Sequence, residues 1–377
     1  MKFPEKARGR VNSRKQNNSF RVLGAQNDLT DFSSNDYLGF SKSRFIRQEA
    51  DSLAKAAFAH GATGSRLLTG NHSLYSETER IISEFHQSES ALIFNSGYDA
   101  NVGFLSSLPQ RNDIILYDEL SHASIRDGIK MSNAKAYKFP HNDLSELEQL
   151  IIRHQSGAGD LYIVTESVFS MDGNSPDLIQ LVDLSDKNHC YTIIDEAHAL
   201  GVFGETGQGL VQQLNLQDRV FARILTFGKG LGCHGAAVLG SKELTDYLIN
   251  FARSFIYSTG LPPHSIATIA AAYRQLIDGS DKIEALRENI SFFNVEKNRF
   301  GLKPIFVRSR SAIQSAIIPG NSNVKRIAEK LQQQGFDIRP ILSPTVPEGQ
   351  ERLRICIHSY NTHDQISEVM QVLATSF

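Results

Sequence analysis

Only three cysteines occur in 377 residues, Cys190, Cys233 and Cys356. They lie far apart with no C-x-x-C pair, which argues against a zinc site or a disulfide framework and fits a reducing cytoplasm; no metal is expected. No apolar run reaches the ~18 residues of a membrane span, so no membrane role is expected. No apolar h-region follows the N-terminus, so a secretory signal is not expected. Charge of one sign is also missing: 39 Lys and Arg stand against 41 Asp and Glu, a net −2. There is thus no basic field to attract nucleic acid. Repeats, low-complexity segments and long linkers are absent. What is present is 41% apolar and 21% charged residues, the balance of an ordinary soluble globular protein. The length suffices for one large domain and a smaller one.

The one basic run is the N-terminus, with seven Lys or Arg and a single acid, Glu5, in the first 21 residues. It reads as a solvated, partly mobile tail, as a grip on an anionic substrate, or as a targeting peptide. From residue 74 on, helix-like and strand-like stretches alternate. SLYSETERIISEFH places Leu74, Thr78, Ile81, Ile82 and Phe85 on one helical face. Apolar runs follow at 91–95, 113–117, 134–139, 161–166, 191–195, 221–227 and 235–240, mostly separated by helical patterns. Such continuous runs predict an α/β fold with a mostly parallel, seven-stranded sheet covered on both faces. After helical segments at 243–298, the stretches SAIQSAIIP, NVKRIAEKLQQQG, FDIRP, RLRICIHS and a closing helix from about 363 predict a small α+β domain. The expected division is an N-terminal segment 1–44, a large domain 45–275 and a small C-terminal domain 276–377 that includes the N-terminal segment.

Asp195-Glu196-Ala197-His198 spells the acidic box of DEAH helicases. An ATPase of that kind needs G-x-x-x-x-G-K-[ST] upstream. Gly-Lys occurs once, at Gly228-Lys229, downstream of the box. Gly230 follows it where a hydroxyl is required, and Arg223 stands where the first glycine belongs. The match is chance.

Lys229 directly follows an apolar strand, in TFGKGLGCHGA. The flanking glycines let a flat ring approach the backbone. A lysine partly desolvated there is a nucleophilic amine able to form a Schiff base. Taken alone it would be a surface lysine in a turn. Asp195, at the end of YTIID, changes that reading. Pyridoxal 5'-phosphate (PLP) needs a lysine for its aldehyde and a carboxylate beside its pyridine nitrogen, and ligands of such sheets sit beyond the strands' carboxyl ends. A phosphate site is predicted where FNSGYDAN turns from strand to helix: Ser96, Gly97 and Tyr98 would present N–H groups at a helix N-terminus, and Thr226 could add a hydroxyl. His122, in LSHAS, could stack on the ring and move protons, and His198 could bond the ring hydroxyl. His141 reads as a structural or capping residue.

Together these segments resemble the α-oxoamine synthases, a family of fold-type-I PLP enzymes. The resemblance covers about nine-tenths of the chain, from SSNDYLG (33–39) onward. Its landmarks include GATGSRLLTGN, FNSGYDAN, LSHASI, TESVFSMDGNSPDL, IIDEAHALGVFGETGQG, TFGKGLGCHGAAV, YSTGLPP and SPTVPEGQERLRI. SAIQSAIIP and PTVPEGQERLRI are most similar to the member that joins a pimeloyl thioester to L-alanine. The resemblance implies that Lys229 carries the cofactor, Asp195 holds its pyridine nitrogen, His198 its phenolic oxygen, and His122 stacks on its ring. It assigns the phosphate to Ser96, Gly97, Tyr98 and Thr226, with Ser258 and Thr259 from a partner subunit of a homodimer. Arg354 would grip the amino-acid carboxylate, with Asn35 near it, while Glu166 and Ser170 line the site. The implied reaction is decarboxylative condensation of an acyl thioester, on coenzyme A or an acyl carrier protein, with L-alanine. Arg14 and Arg21 are the candidates for a distal carboxylate on the acyl chain. The alternatives are a member using glycine or serine, such as a 2-amino-3-oxobutyrate ligase or a serine palmitoyltransferase, and a non-catalytic partner subunit of the same fold. Two positions depart from the family pattern: Tyr75 stands where a second histidine is usual in H-x-x-H-x-x-L-E, and Ile341-Leu342-Ser343 stands for the usual I-R-P, with Arg339 the nearest upstream arginine.

Overall fold

A computed structural model describes residues 2–24, 28–55, 59–155, 157–279 and 281–377. They form two compact units: residues 35–170 with 174–287, and residues 1–34 with 171–173 and 288–377. The divisions at 34/35 and 287/288 differ from the expected 44/45 and 275/276, and the second falls inside the helix Asp281–Arg299. A boundary inside a continuous helix leaves no turn or linker residues to mark it in a sequence.

In chain order the strands are β1 (Thr30–Asp31), β2 (Ser90–Phe94), β3 (Ile114–Asp118), β4 (Lys135–Phe139), β5 (Leu161–Glu166) and β6 (Tyr191–Asp195). They continue as β7 (Ala222–Thr226), β8 (Ala236–Gly240), β9 (Ile313–Ile317), β10 (Phe336–Asp337), β11 (Arg339–Ile341) and β12 (Arg352–Cys356). The larger unit holds a seven-stranded sheet in the order β2-β8-β7-β6-β5-β3-β4. The pairs from β7 through β6, β5 and β3 to β4 are parallel, and β8 runs antiparallel to both β7 and β2. The central strands are apolar at nearly every position because both faces are covered. Alternate residues feed two cores. Ile115, Val164, Ile193 and Ile224 face one core with Phe104, Leu105 and Ile125 from the covering helices. Leu116, Ile163 and Ile194 face the other with Leu147, Ile151, Leu178 and Val182. The helix Ser73–Phe85 buries Leu74, Thr78 and Ile82 as its periodicity predicts, and Tyr75 besides. No helix among the described residues is long and apolar enough to cross a membrane.

The smaller unit pairs β11-β12-β9 in an antiparallel sheet and β1 with β10 in a short parallel one. The helix His363–Ala374 starts on a capping box between Thr362 and Gln365. The basic N-terminal run, expected as a partly mobile tail, contains a 12-residue helix, Glu5–Gln16, with no buried residue. Its Glu, Lys, Arg and Gln are good helix formers, but without an apolar stripe they give no periodic signal.

Candidate active site

Glu166, Asp195 and Thr226 are the last residues of β5, β6 and β7. Parallel pairing puts Glu166 opposite Asp195. Three residues past Thr226, the half-buried Lys229 extends its Nζ to 2.8 Å from His198 Nε2. His198 Nδ1 lies 2.7 Å from the buried Tyr37 hydroxyl, which donates to Asn35 Oδ1 at 3.2 Å. The direction of this chain fixes a tautomer. Lys229 Nζ donates to Nε2, so the His198 proton sits on Nδ1 and faces the Tyr37 oxygen.

A second chain runs through Asp195. The carboxylate accepts the Ala197 N–H at Oδ1 (2.9 Å) and an Asn101 amide N–H at Oδ2 (2.8 Å). The other Asn101 N–H donates to Ser124 Oγ at 3.1 Å. The Ser124 hydroxyl lies 2.8 Å from His122 Nδ1, and the Ser124 backbone N–H donates to the same nitrogen at 3.2 Å. Nδ1 is therefore the acceptor and His122 carries its proton on Nε2, the opposite tautomer to His198. Burial is the main influence pulling the His122 imidazole below its usual range; Asp195 opposes it. The His122 backbone N–H donates to Glu166 Oε1 at 2.7 Å. Burial, reinforced by the Asp195 charge, pushes the Glu166 carboxyl up to about 8.

At the end of β2, the Ser96 side chain caps the helix Gly97–Ser107 by accepting the Asp99 N–H at 3.1 Å. The first N–H groups of a helix have no intrahelical partner and favour anions. Gly97 faces Thr226 so closely that a Cβ there would lie 2.3 Å from Thr226 Oγ1. The Tyr98 hydroxyl donates outward to Asp127 Oδ2 at 2.7 Å, so only its backbone serves the helix start. Thr259 is exposed, Ser258 half-buried, and the Thr259 carbonyl accepts from Asn95 Nδ2 at 2.7 Å. Ser170 is half-buried just beyond β5. His141 bonds Asp118 at 3.0 Å and stacks edge-on to Phe169, a structural placement. Tyr75 is also structural: its hydroxyl accepts the Leu261 N–H at 2.7 Å, and the Arg66 guanidinium covers its ring at 3.8 Å.

In the smaller unit, Arg354 lies on β12 directly opposite Arg339 of β11. Arg339 is ion-paired with Asp337 at 2.6 Å. Arg21 donates to Thr345 Oγ1 at 3.0 Å, inside the SPTVPEG stretch, and Arg14 is half-buried on the N-terminal helix. Tyr37, Asn101 and Ser124 were not singled out from the sequence, although each lies inside one of the quoted motifs.

This donor set fits PLP. Lys229 supplies an amine for the aldehyde, Asp195 an oriented carboxylate, His198 a ring nitrogen beside the amine, and the Gly97 helix start with Thr226 a cradle that a Cβ would fill.

Residues 27–373 match the model of the family described as aminotransferase class I and II. An 8-amino-7-oxononanoate synthase of Emericella nidulans is 42% identical over 92% of this chain and 88% of that protein. The crystal structure of an 8-amino-7-oxononanoate synthase from Francisella tularensis is 28% identical, with a TM-score of 0.79, over 93% of this chain and 98% of that one. A serine palmitoyltransferase from S. paucimobilis, solved with a PLP–myriocin adduct, has a TM-score of 0.89 over 99% of this chain and 96% of that one. At 23% identity that likeness speaks for the fold alone.

Proposed function

Because the chain belongs to the aminotransferase class I and II family, and within it to the PLP-dependent α-oxoamine synthases, we propose that it condenses a pimeloyl thioester with L-alanine, giving 8-amino-7-oxononanoate, CO2 and the free thiol. The observation that carries the chemistry is the cluster at the carboxyl ends of β5 to β7, where Lys229, His198, Asp195 and His122 are held in two hydrogen-bonded chains. The substrate reading is supported by the 42% identity to a protein named for that product.

Bound PLP would supply an electron sink for the charge that develops at the alanine α-carbon. Lys229 would hold the cofactor and, once displaced by the substrate amine, take the α-proton on Nζ. His198 Nε2, already turned toward Lys229 by Tyr37, is the acceptor beside that nitrogen. Asp195, its carboxylate already oriented by Asn101 and Ala197, would pair with the pyridine nitrogen, so that no reorganisation would be needed as charge develops. His122 offers a proton at Nε2. The Gly97–Ser107 helix start, Ser96 and Thr226 would hold the phosphate. In the proposed homodimer Ser258 and Thr259 of each protomer would help hold the phosphate bound by its partner. Arg354 would take the alanine carboxylate, with Asn35 near it.

The test is a product assay of the PLP-loaded chain with alanine, glycine and serine against pimeloyl, octanoyl and palmitoyl thioesters, carried on coenzyme A or on acyl carrier protein. The expected result is CO2 release and the mass of 8-amino-7-oxononanoate from pimeloyl thioester and alanine. Preference for glycine or serine, or for the palmitoyl chain by tenfold or more, overturns it.

A further inference from the structure

The smaller unit contains a cavity of about 570 Å³ between the C-terminal half of the helix Asp281–Arg299 and the segment 303–310. Four cations line it: Lys297, Lys303, Arg308 and Arg310. No carboxylate is among the lining residues, and none among the described residues is ion-paired with these four. Arg308 and Arg310 stand two apart on a segment that runs beside β9, bonded to it through Val307 N–H and Ser315 O at 2.9 Å.

Lys297 is the informative member. Its side chain is buried, with 6% of the residue exposed, and its ammonium lies 5.3 Å from the centre of the Phe306 ring. Its hydrogen-bond partners are neutral amides, Asn294 Oδ1 at 2.7 Å and Gln314 Oε1 at 3.4 Å. A buried ammonium without a counter-charge is costly, and the neighbouring Lys303 charge raises the cost. Burial and Lys303 both draw its pKa below the usual lysine value, as expected where no anion offsets them.

We propose that this cavity is a binding site for a phosphate-bearing ligand, separate from the cofactor cluster. The shared chemistry is a dianionic phosphate held by the two arginine forks at the mouth and the two lysines, one of them at the floor. The volume accommodates a nucleoside bisphosphate as well as a bare phosphate or pyrophosphate. This inference does not depend on the substrate proposed above.

The experiment is calorimetric titration of the PLP-loaded full-length chain at low ionic strength with pyrophosphate and with adenosine 3',5'-bisphosphate. Comparison with Arg308→Ser/Arg310→Ser and, separately, Lys297→Met locates the site. The two arginines are exposed, so their replacement leaves the core intact; retained visible cofactor absorbance and an unchanged melting temperature check the fold. The expected result is one saturable site per chain, weakened at least tenfold in both variants. Equal affinity for the two probes assigns the site to phosphate itself, and tenfold tighter binding of the bisphosphate assigns it to a nucleotide-borne phosphate. No saturable binding overturns the proposal. So does binding of the same strength in the wild type and the arginine variant.

Discussion

Asp195 and His198 are three residues apart, yet each is oriented by a partner far away in the chain. Tyr37 reaches His198 across 161 residues and Asn101 reaches Asp195 across 94. This is why the lysine and carboxylate pair was legible in the sequence and its supports were not: strand ends mark the first, while only the folded topology supplies the second. Replacing Tyr37 with Phe leaves the His198 Nδ1–H buried without its acceptor, a cost of roughly 1–3 kcal/mol. The expected outcome is a loss of thermal stability and a fall in kcat larger than the change in KM, with a shifted pH dependence of the cofactor's visible absorbance. An unchanged kcat and unchanged spectral titration would show that Tyr37 merely fills space. Glu166 makes a second test. Burial and the Asp195 charge push its carboxyl up to about 8 in the folded chain, from an ordinary 4.5. The folded state therefore binds the proton more tightly, and stability falls as pH rises between those values. Glu166→Gln keeps an acceptor for the His122 N–H and removes that penalty, on the order of a few kcal/mol. In the cofactor-free protein, the melting temperature of the variant relative to wild type should climb from pH 5 to pH 8.5. A difference that stays flat over that range contradicts the raised carboxyl.

The start of the helix Gly97–Ser107 and the end of β7 are built to approach one another. The absence of a side chain at Gly97 makes the approach possible. In Gly97→Ala the new methyl meets Thr226 Oγ1, so one element must shift, at roughly 1–3 kcal/mol. Phosphate held between them is expected to suffer more than the fold. PLP affinity should drop at least tenfold, measured by equilibrium titration, while the far-ultraviolet spectrum stays native. Wild-type affinity would remove this helix start from the phosphate site. The strands inside the sheet were readable because burial on both faces makes them largely apolar runs, five or six residues long, whereas the edge strand β4 is mostly exposed and keeps two lysines. β1 and β10, two residues each, carry no such signal. The basic N-terminal helix is hidden for the reason opposite to that of the strands, having no apolar face at all.

At the scale of the whole molecule, the proposed reading of the acyl chain rests on two arginines of the smaller unit. The proposed distal-carboxylate readers, Arg14 and Arg21, differ in exposure. Arg21 is exposed, so its charge is worth roughly 0.5–1 kcal/mol, or about 2–5-fold in kcat/KM. The Arg14→Ala/Arg21→Ala double variant should therefore reduce the preference for pimeloyl over octanoyl thioester by at least that factor, with alanine KM unchanged. Equal selectivity in variant and wild type would move the reader elsewhere. The central claim, that Lys229 is the amine that binds PLP and starts the chemistry, is tested most directly by borohydride reduction of the loaded protein followed by peptide mass mapping. The account predicts a single reduced pyridoxyl group, on the peptide containing Lys229, together with loss of activity. A pyridoxyl group on any other lysine, or full activity retained after complete reduction, would contradict it.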